Sequence, residues 1–410
     1  MRRKPLEDIT ICDLTWVMAG PGATRMFRDL GATVIRIENN KTLDVLRTGW
    51  QRKNNDDFYK EGGWAFQDFN RGKTDIALNL KTEGGREVLH EIVKRSDIVV
   101  ANYGPRAFHK LGIDYESLRQ VKEDIIVLNA AGLGDYGPYS NFITYAPSLM
   151  SIAGMMGIHG YEGARDPEMP TELADYTGCL TLANYMLAAI EYRRRTGKGQ
   201  FIDVSQGEGA EVHMGQAILH CWKNAAEAGC IGNRDWRGSA APHNTYPCRG
   251  DDEWCVIAVT TEEDWQKLCA VIDPEGTWSG APEFRTLADR LRHLPELDSH
   301  IAAWTAERDK YEIGDLLQAA GVSAAPVQNN WELLNRDEHM KARGYFVPVD
   351  LEPDGKYPDT FRICNIPGRM STMEYPTAFH RAPSWGEHTD EILREYLGKS
   401  DEWIKSHPVL

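Results

Sequence analysis

The sequence has no apolar run long enough to cross a membrane. The longest largely apolar run extends from Ala146 to Ile158, whereas a membrane-spanning helix needs about 20 apolar residues. The chain starts with a basic stretch, Met1 to Pro5, but no apolar segment follows it, so the start does not have the pattern of a secretory signal. We therefore expect a soluble, cytoplasmic protein that has no membrane partner.

Paired cysteines and an excess of positive charge are also missing. The eight cysteines are scattered and form no C-x-x-C pair, which argues against a zinc site and against a disulfide framework. We expect reduced, mostly buried thiols and no bound metal. The formal net charge is −15, and so acidic a chain is poorly suited to the phosphate backbone of a nucleic acid. Nucleic acid is therefore not an expected partner.

The common nucleotide-binding and hydrolase motifs are absent as well. In the first β-α turn, Arg25 stands where a dinucleotide-binding G-x-G-x-x-G motif has its third glycine, which disfavours an NAD site. Two Gly-Lys-Thr/Ser runs, at 72–74 and 398–400, lack the glycine that a phosphate-binding loop has five positions earlier, because Gln67 and Leu393 stand there. No G-x-S-x-G and no H-E-x-x-H motif occurs. Activation of an acid at the expense of ATP is therefore not expected.

The chain does contain an alternation of short apolar strands and helices. The segments predicted as strands are Ile9–Leu14, Ala32–Glu38, Asp75–Leu80, Asp97–Ala101, Ile125–Ala130, Phe201–Val204 and Trp254–Val259. The predicted fold is α/β with a parallel, Rossmann-like sheet. Loops at 15–21, 102–110 and 132–145 would follow its strands, and such sheets bind ligands beyond the carboxyl ends of their strands. The length of 410 residues suits two domains, and a largely helical segment at about 262–320 would belong to the smaller one.

A single carboxylate, Asp175, stands at the start of a long predicted helix. The apolar residues expected to face the core have three- and four-residue spacing; they are Leu180, Ala183, Met186, Leu187 and Ile190. Arginines close the helix before a glycine-containing turn at 196–199, as expected at the negative end of a helix dipole. On spacing alone, Asp175 is more often a helix cap. The alternative is a nucleophile whose anion is favoured by the positive end of the helix. Cys179, one turn later, is expected to be a packing residue.

This segment, together with DLTWVMAGPGATRMFRDLGATVIRIE near the start, resembles the family III CoA-transferases over nearly the whole chain. That family includes formyl-CoA transferase, the carnitine CoA-transferases and alpha-methylacyl-CoA racemase. The resemblance implies a CoA-transferase of the EC 2.8.3 type and a dimer of two interlocked chains. We accordingly expect a large Rossmann-like CoA-binding domain at 1–206, a linker helix at 207–228, a smaller α+β domain at 229–324, and a return segment at 325–410 that completes the large domain.

The resemblance also implies a role for Asp175. The carboxylate would attack the thioester of an acyl-CoA donor and carry the cargo through an aspartyl anhydride and an aspartyl-CoA thioester. Coenzyme A and acyl-CoA are then substrates, and no cofactor is bound permanently. The other expected partners are a carboxylic acid acceptor and a second chain, either an identical copy or a related subunit.

Further positions match residues that hold the CoA substrate or line the reacting group in relatives. They are Val17, Met18, Leu78, Lys81, Asn102, Tyr103, Ala107, Lys110 and Tyr145. Lys81 and Lys110 would neutralise CoA phosphates, and Tyr103 would lie against the adenine. Without the family, these three would be read as ordinary surface lysines and a loop aromatic residue.

The sequence departs from the family pattern in the first loop and after the second strand. A glutamine and the histidine before it are replaced by Met18 and Trp16, and an arginine that contacts CoA is replaced by Asn39. A glycine-rich loop is replaced by the segment 237–243. These changes argue against oxalate or formate as substrate. Together with a polar and aromatic excursion at 39–72, they indicate a roomier, more apolar acyl pocket.

Two readings besides a self-sufficient transferase remain. Tyr145 stands where the racemase branch has a histidine base, so a racemase, which needs a second base opposite Asp175, is disfavoured. The runs 242–248 and 250–254 resemble benzylsuccinate CoA-transferase, a two-subunit enzyme that uses succinyl-CoA. The expected donor is thus succinyl-CoA, and the expected acceptor is benzylsuccinate or a similar acid. A weakly catalytic or structural subunit of a heteromeric transferase stays open.

Overall fold

The computed structural model describes residues 4–39, 41–48, 63–162, 172–350 and 361–407. Trp50 and Tyr59, part of the predicted aromatic excursion, lie outside the described residues. The chain divides into two compact units. Unit 1 comprises Met1–Met156, Pro170–Ala226 and His339–Leu410, and unit 2 comprises Gly157–Met169 and Glu227–Glu338.

The secondary structure alternates as expected for an α/β chain. The strands are β1 (Thr10–Asp13), β2 (Thr33–Asn39), β3 (Thr74–Leu78), β4 (Ile98–Ala101), β5 (Ile126–Asn129), β6 (Gln200–Asp203), β7 (His243–Pro247), β8 (Trp254–Ala258), β9 (Ser323–Pro326), β10 (Phe346–Asp350), β11 (Arg362–Cys364) and β12 (Phe379–His380). The helices are α1 (Ala19–Asp29), α2 (Val45–Thr48), α3 (Trp64–Asn70), α4 (Glu83–Lys94), α5 (Pro105–Lys110), α6 (Tyr115–Leu118), α7 (Ala146–Ile152), α8 (Leu173–Thr196), α9 (Gln206–Glu211), α10 (Gly215–Asn224), α11 (Glu262–Ile272), α12 (Leu287–Arg292), α13 (Leu294–Thr305), α14 (Lys310–Ala319), α15 (Asn330–Asn335), α16 (Glu338–Arg343), α17 (Thr389–Glu391) and α18 (Asp401–Ser406).

Unit 1 is built on a six-stranded parallel sheet in the order β3-β2-β1-β4-β5-β6. Cys12 of β1 pairs with Ile35 of β2 on one side and with Val99 of β4 on the other. Strands β1 to β5 are largely buried on both faces, which explains why they read as nearly continuous apolar runs, whereas the edge strand β6 is half-buried. The strand order reverses between β1 and β4, and the loops that follow these two strands meet there. Such a switch point is the usual ligand-binding position of a doubly wound sheet.

The two faces of this sheet are covered by different helices. One apolar cluster joins the sheet to α4 and to residues near the C-terminus, including Ile392 and Leu393. The other joins it to α1 and α8 through residues such as Phe27, Leu182 and Met186. The predicted α/β fold with a parallel, Rossmann-like sheet is therefore confirmed.

The C-terminal segment completes unit 1 along the edge strand β3. Gly72 N donates a hydrogen bond to Arg381 O at 3.0 Å, and His388 N donates one to Asp75 O at 3.0 Å. These bonds satisfy backbone groups that an edge strand would otherwise expose. N- and C-terminal segments thus build the large unit together, as the resemblance implied.

Helix α8 corrects the predicted core stripe. It spans 24 residues and ends at Gly197, whose φ of 72° is the left-handed conformation of a glycine C-cap. Leu180 and Leu187 are 56% and 44% exposed, so two of the five predicted core residues were wrong. The buried stripe includes Leu182 and Ala189 instead. The cause is geometric, because Leu180 and Leu187 are seven residues apart and share a face turned away from the sheet.

The predicted linker helix at 207–228 is also corrected. The chain forms two shorter helices there, α9 and α10, separated by a 3₁₀ turn at Val212–Met214. Gly207, Gly209 and Gly215 occur in this stretch, and glycine is a weak helix former. No residue of α10 is buried, so packing within the chain does not hold the two helices in one straight rod.

Unit 2 is a smaller α+β unit. Its antiparallel sheet has the order β7-β8-β9, and its core combines strand residues such as Ile257 with helix residues such as Trp265, Leu297 and Leu317. Strands β7 and β9 were not predicted. SAAP has little β-propensity, HNTYP has strand-favouring residues only at Thr245 and Tyr246, and both strands end in proline, which sheets tolerate at edges.

Two predicted absences can be compared with the described residues. No helix among them is both long and apolar enough to span a bilayer. No group of three or more histidine, cysteine, aspartate or glutamate side chains there could hold a metal ion. All eight cysteines lie in the described part of the chain, and each is a free thiol.

Candidate active site

Asp175 lies in the first turn of α8, and no group of the described residues binds its carboxylate. Its backbone N–H donates to Glu172 O at 3.0 Å, which begins the helix. Among the described residues, its side chain makes no hydrogen bond and no ion pair, and residue 172 occupies the N-cap position. A capping aspartate would accept a backbone N–H. The cap interpretation of Asp175 is therefore wrong for this structure, and the carboxylate is available for other chemistry.

Burial and, to a smaller extent, the nearby charge of Glu172 together raise the pKa of the Asp175 carboxyl to about 6. The sequence suggested the opposite direction, because the start of a helix favours an anion. Here the loss of hydration costs more than the helix dipole returns. At pH 7 roughly nine-tenths of the carboxyl groups are still ionised. The anion is present, but it is weakly solvated, as a nucleophilic carboxylate should be.

Cys179 lies one turn further along α8 and is a packing residue. It is 1% exposed, and its S–H donates to Met18 O at 3.5 Å. Burial raises the pKa of its thiol to about 12, and the charge of Arg25 only partly opposes this. A thiol that stays protonated is a poor nucleophile. Its contact with Met18 nevertheless shows that the start of α1 lies against the first turns of α8.

The loop between β1 and α1 is held by side chains from two other loops, those of Asn102, directly after β4, and Asp44, directly before α2. Trp16 and Asn102 exchange two hydrogen bonds, from Trp16 N to Asn102 Oδ1 at 2.9 Å and from Asn102 Nδ2 to Trp16 O at 2.8 Å. Val17 N donates to Asp44 Oδ2 at 3.1 Å. Val17 has a φ of 64°, a left-handed backbone conformation that is rare for a β-branched residue. This loop is therefore both strained and firmly fixed.

The loop after β4 lies beside it at the switch point. Tyr103 N donates to Asn129 Oδ1 at 3.1 Å, and Asn129 Nδ2 donates back to Tyr103 O at 2.9 Å. The Tyr103 ring is partly buried against the core, and burial raises the pKa of its hydroxyl to about 12. Helix α5 follows, with Phe108 buried and with Ala107 and Lys110 exposed.

The sequence model of CoA-transferase family III matches residues 6–389. The chain belongs to CoA-transferase family III. The formyl-CoA:oxalate CoA-transferase of Rhodopseudomonas palustris is 28% identical over 98% of this chain and 95% of its own length. The succinyl-CoA:mesaconate CoA-transferase of Haloarcula marismortui is 30% identical over 95% of this chain and 96% of its own length. The chain is therefore an enzyme whose substrates are CoA thioesters and carboxylic acids.

Solved structures agree with the fold. A CaiB/BaiF family protein from Brucella suis superposes with a TM-score of 0.85 at 25% identity, covering 96% of this chain and 99% of its own. A protein from Mycobacterium tuberculosis superposes with a TM-score of 0.76 at 24% identity, covering 95% and 99%. The second likeness concerns the fold alone.

The remaining predicted CoA-binding residues of the transferase occupy varied positions. Leu78 ends β3 and is 1% exposed, so its side chain belongs to the core and only its backbone can meet a ligand. Lys81 is exposed in the turn that follows, before α4. Tyr145 is 56% exposed at the start of α7, where its N–H donates to Ser148 Oγ at 2.9 Å. Helix α7, which begins directly after Tyr145, packs against α8, the helix that carries Asp175.

Sequence reasoning missed the residues that support the first loop of the transferase. Arg36 is fully buried in β2, and its Nη1 donates to Thr15 O at 2.9 Å while its Nη2 donates to Asp44 Oδ2 at 2.7 Å. Glu38, on the same face of the strand, accepts from Arg36 Nε at 2.7 Å. A signal was present, because two opposite charges at i and i+2 in a strand expected to be buried need partners in the interior.

Unit 2 contains a separate cavity of about 820 Å³. Its lining mixes polar residues such as Asn233, Arg234 and His243 with apolar strand residues such as Val256. None of the predicted site residues lines it. The chemistry assigned to Asp175 therefore rests on the geometry of unit 1 and not on this cavity.

Proposed function

We propose that Asp175 is the nucleophile with which this transferase moves CoA from an acyl-CoA donor to a carboxylic acid acceptor. The observation that carries the proposal is the state of its carboxylate, which is partly buried, free of protein hydrogen bonds among the described residues, and raised in pKa to about 6. A carboxylate that serves structure is normally hydrogen-bonded or paired. One that is left unpaired beside a strained loop fits a reacting group.

The proposed reaction conserves the thioester and needs no external energy. A carboxylate oxygen of Asp175 attacks the carbonyl carbon of the donor thioester, and the C–S bond breaks to release CoA as a thiolate. The product is a mixed anhydride between Asp175 and the donor acyl group. The thiolate then attacks the Asp175 carbonyl, which releases the donor acid as a carboxylate and leaves an aspartyl-CoA thioester.

The second half repeats these steps with the acceptor. The acceptor carboxylate attacks the aspartyl thioester and expels the CoA thiolate, which forms a second anhydride. The thiolate attacks the acceptor carbonyl, gives the new acyl-CoA and restores the Asp175 anion. Water would hydrolyse either anhydride, so the reaction needs a site that excludes it.

We propose succinyl-CoA as donor and a four-carbon dicarboxylate with a substituent on its second carbon as acceptor. The Haloarcula relative is named for succinyl-CoA and mesaconate, and mesaconate and benzylsuccinate share this carbon skeleton. Trp16, Val17 and Met18 are partly exposed and supply apolar surface in the first loop, which suits a substituent better than oxalate does. In this proposal Lys81, Tyr103 and Lys110 contact the CoA moiety.

We also propose that the enzyme works with a second chain, identical or related. Large apolar side chains are exposed on unit 1, among them Tyr136 at 84%, Ile143 at 93% and Trp222 at 82%. Helix α10 buries none of its residues. Apolar exposure on this scale is typical of a surface that another chain covers.

Mass measurement of the intact protein after incubation with succinyl-CoA tests the nucleophile. We expect an adduct of the mass of CoA, less one water, on the wild type and none on Asp175→Ala. The matched control is Glu191→Gln, which should retain the adduct. It removes an exposed carboxylate of the same helix, one that pairs with Arg195. No adduct on any chain would overturn the proposal for the isolated protein. If an adduct appeared only on an added second subunit and not on this chain, the chain would be a structural partner.

A further inference from the structure

Val17 adopts a backbone conformation that its own side chain disfavours. Among the described residues, three other than glycine have positive φ, namely Val17, Ala225 and Asp252, and Val17 alone of these is β-branched. In the left-handed region the Cβ atom crowds the following carbonyl oxygen, and branching adds to the crowding. Such a conformation persists only where the surroundings over-determine it.

The conformation of Val17 is held by Asp44 and, through it, by Arg36. Asp44 Oδ2 accepts from Val17 N at 3.1 Å and from Arg36 Nη2 at 2.7 Å. Arg36 Nη1 donates to Thr15 O at 2.9 Å. One guanidinium therefore fixes the residue two positions before Val17 and also the carboxylate that holds Val17 itself.

This pair lies in a larger buried group of charges. Arg36, Glu38, Asp44 and Arg47 are each 2% exposed or less, and Arg47 Nε donates to Glu38 Oε2 at 2.9 Å. Buried ion pairs add little net stability over well-packed apolar residues. Arg47 also donates to Pro383 O of the C-terminal segment, whereas the bonds of Arg36 and Asp44 reach Thr15 and Val17 and so bear on the geometry of the first loop.

The loop is joined in turn to the helix of Asp175. Met18 O accepts the S–H of Cys179 at 3.5 Å, one turn after Asp175. A side chain at Gly22 would collide with the Cys179 sulfur, so α1 and α8 approach closely where they begin. A change in the backbone at Val17 would therefore disturb the contact between Met18 and the helix that carries Asp175.

We propose that Asp44, oriented by Arg36, is a positioning residue that holds Val17 in its left-handed conformation and thereby sets the first loop against Asp175. The proposal rests on the proposed function, since Asp175 must be the reacting group. Asp44 does not touch the substrate in this account. Its effect on the rate arises because small displacements of groups around a reacting centre are costly.

The test compares Asp44→Ala with the double variant Asp44→Ala/Val17→Gly. The measured quantity is the maximal rate at which succinyl-CoA forms the Asp175 adduct in a single turnover. We expect Asp44→Ala to lower this rate about 100-fold, because valine leaves the left-handed region when its support is lost. Glycine adopts that region without support, so the second substitution should recover about tenfold.

The matched control is Asp29→Ala, alone and with Val17→Gly. Asp29 forms a buried ion pair with Arg71 at 2.6 Å in the same unit and does not contact the first loop. We expect Val17→Gly to leave the adduct rate of Asp29→Ala unchanged. Equal recovery in both backgrounds, no recovery in the Asp44→Ala background, or an undiminished rate in folded Asp44→Ala would each overturn the proposal.

Failure to fold does not remove the test. If Asp44→Ala gives no native circular dichroism spectrum, Asp44→Asn replaces it, since the amide oxygen can still accept from Val17 N–H while the charge that orients Arg36 is lost. About a tenfold loss that Val17→Gly reverses supports the proposal, and a loss that it does not reverse overturns it. Absence of the adduct on the wild type would instead contradict the nucleophilic role of Asp175.

Discussion

The first loop and the first turn of α8 lie against each other in unit 1, but their polar groups have opposite surroundings. In the loop, Trp16 and Val17 have backbone groups that are bonded to Asn102 and Asp44. At Asp175, the carboxylate has no such partner among the described residues, and its pKa is raised to about 6. The contrast indicates that the first loop is a rigid frame beside a carboxylate that is left free to react.

Removal of the unsatisfied group should have the largest effect. We expect Asp175→Asn to lower kcat by about 10³-fold or more, because the amide cannot form the anhydride and no neighbour can replace it. Steady-state transfer of CoA from succinyl-CoA to a panel of dicarboxylates measures this. Cys179 lies one turn away, and its protonated thiol should not rescue the variant. Residual turnover within tenfold of the wild type would mean that another residue carries the acyl group.

The pH dependence of the rate should follow the Asp175 carboxyl. Since burial raises its pKa to about 6 and the anion is the nucleophile, the rate should fall about tenfold per pH unit below that value and level off above pH 7. The single-turnover adduct rate reports this step without product release. A profile centred near 4 would show that the carboxylate is better solvated than the structure indicates.

Many of the helices and strands of unit 1 were predictable from the sequence, because they depend on local patterns of residues. Helix α4 begins and ends where its spacing and its Thr82 cap place it, and the strands of the parallel sheet are apolar runs between turns. The network of Arg36 and Asp44 was not predicted, because it links β2 to a loop about 20 residues earlier and to a residue in an irregular stretch. Pairwise contacts of this kind depend on the sheet order, which local patterns do not contain.

The candidate site was predictable only in part, because the burial of its side chains cannot be read from the sequence. The spacing around Asp175 favoured a cap, and only the resemblance indicated a nucleophile. The direction of its pKa shift was missed because helix position is visible in a sequence while burial is not. Leu180 and Leu187 were assigned to the core because the apolar spacing of α8 is compatible with two faces, of which one remains exposed.

The cost of the unsatisfied carboxylate should appear in stability. A pKa raised from 3.8 to about 6 means that the folded state binds the proton more tightly than the unfolded state. The stabilisation of the folded state by this proton is therefore complete below pH 3.8 and is lost as the pH rises through 6. The full shift corresponds to about 3 kcal/mol, and partial exposure reduces this to about 2 kcal/mol. We expect Asp175→Asn to raise the free energy of unfolding by that amount at pH 8.

Urea unfolding at pH 8 and at pH 4 measures this difference. At pH 4 the wild-type carboxyl is largely protonated in the folded state, so the advantage of the amide should be small there. The control is Glu191→Gln, whose carboxylate is exposed and should show no such pH-dependent gain. Equal stability of wild type and Asp175→Asn at pH 8 would contradict the burial of an unpaired charge.

The smallest effect is expected at the residue that joins the two regions. Cys179→Ala removes the sulfur that packs against Gly22 and donates to Met18 O, which should lower the free energy of unfolding by about 1 kcal/mol and kcat less than tenfold. Thermal unfolding and the steady-state assay measure the two quantities. The frame of Asn102, Asp44 and Arg36 remains intact in this variant, so the loop should keep its position without the thiol. A loss of kcat as large as that of Asp175→Asn, in a folded protein, would mean that the thiol takes part in the chemistry and that the rigid frame alone does not set the site.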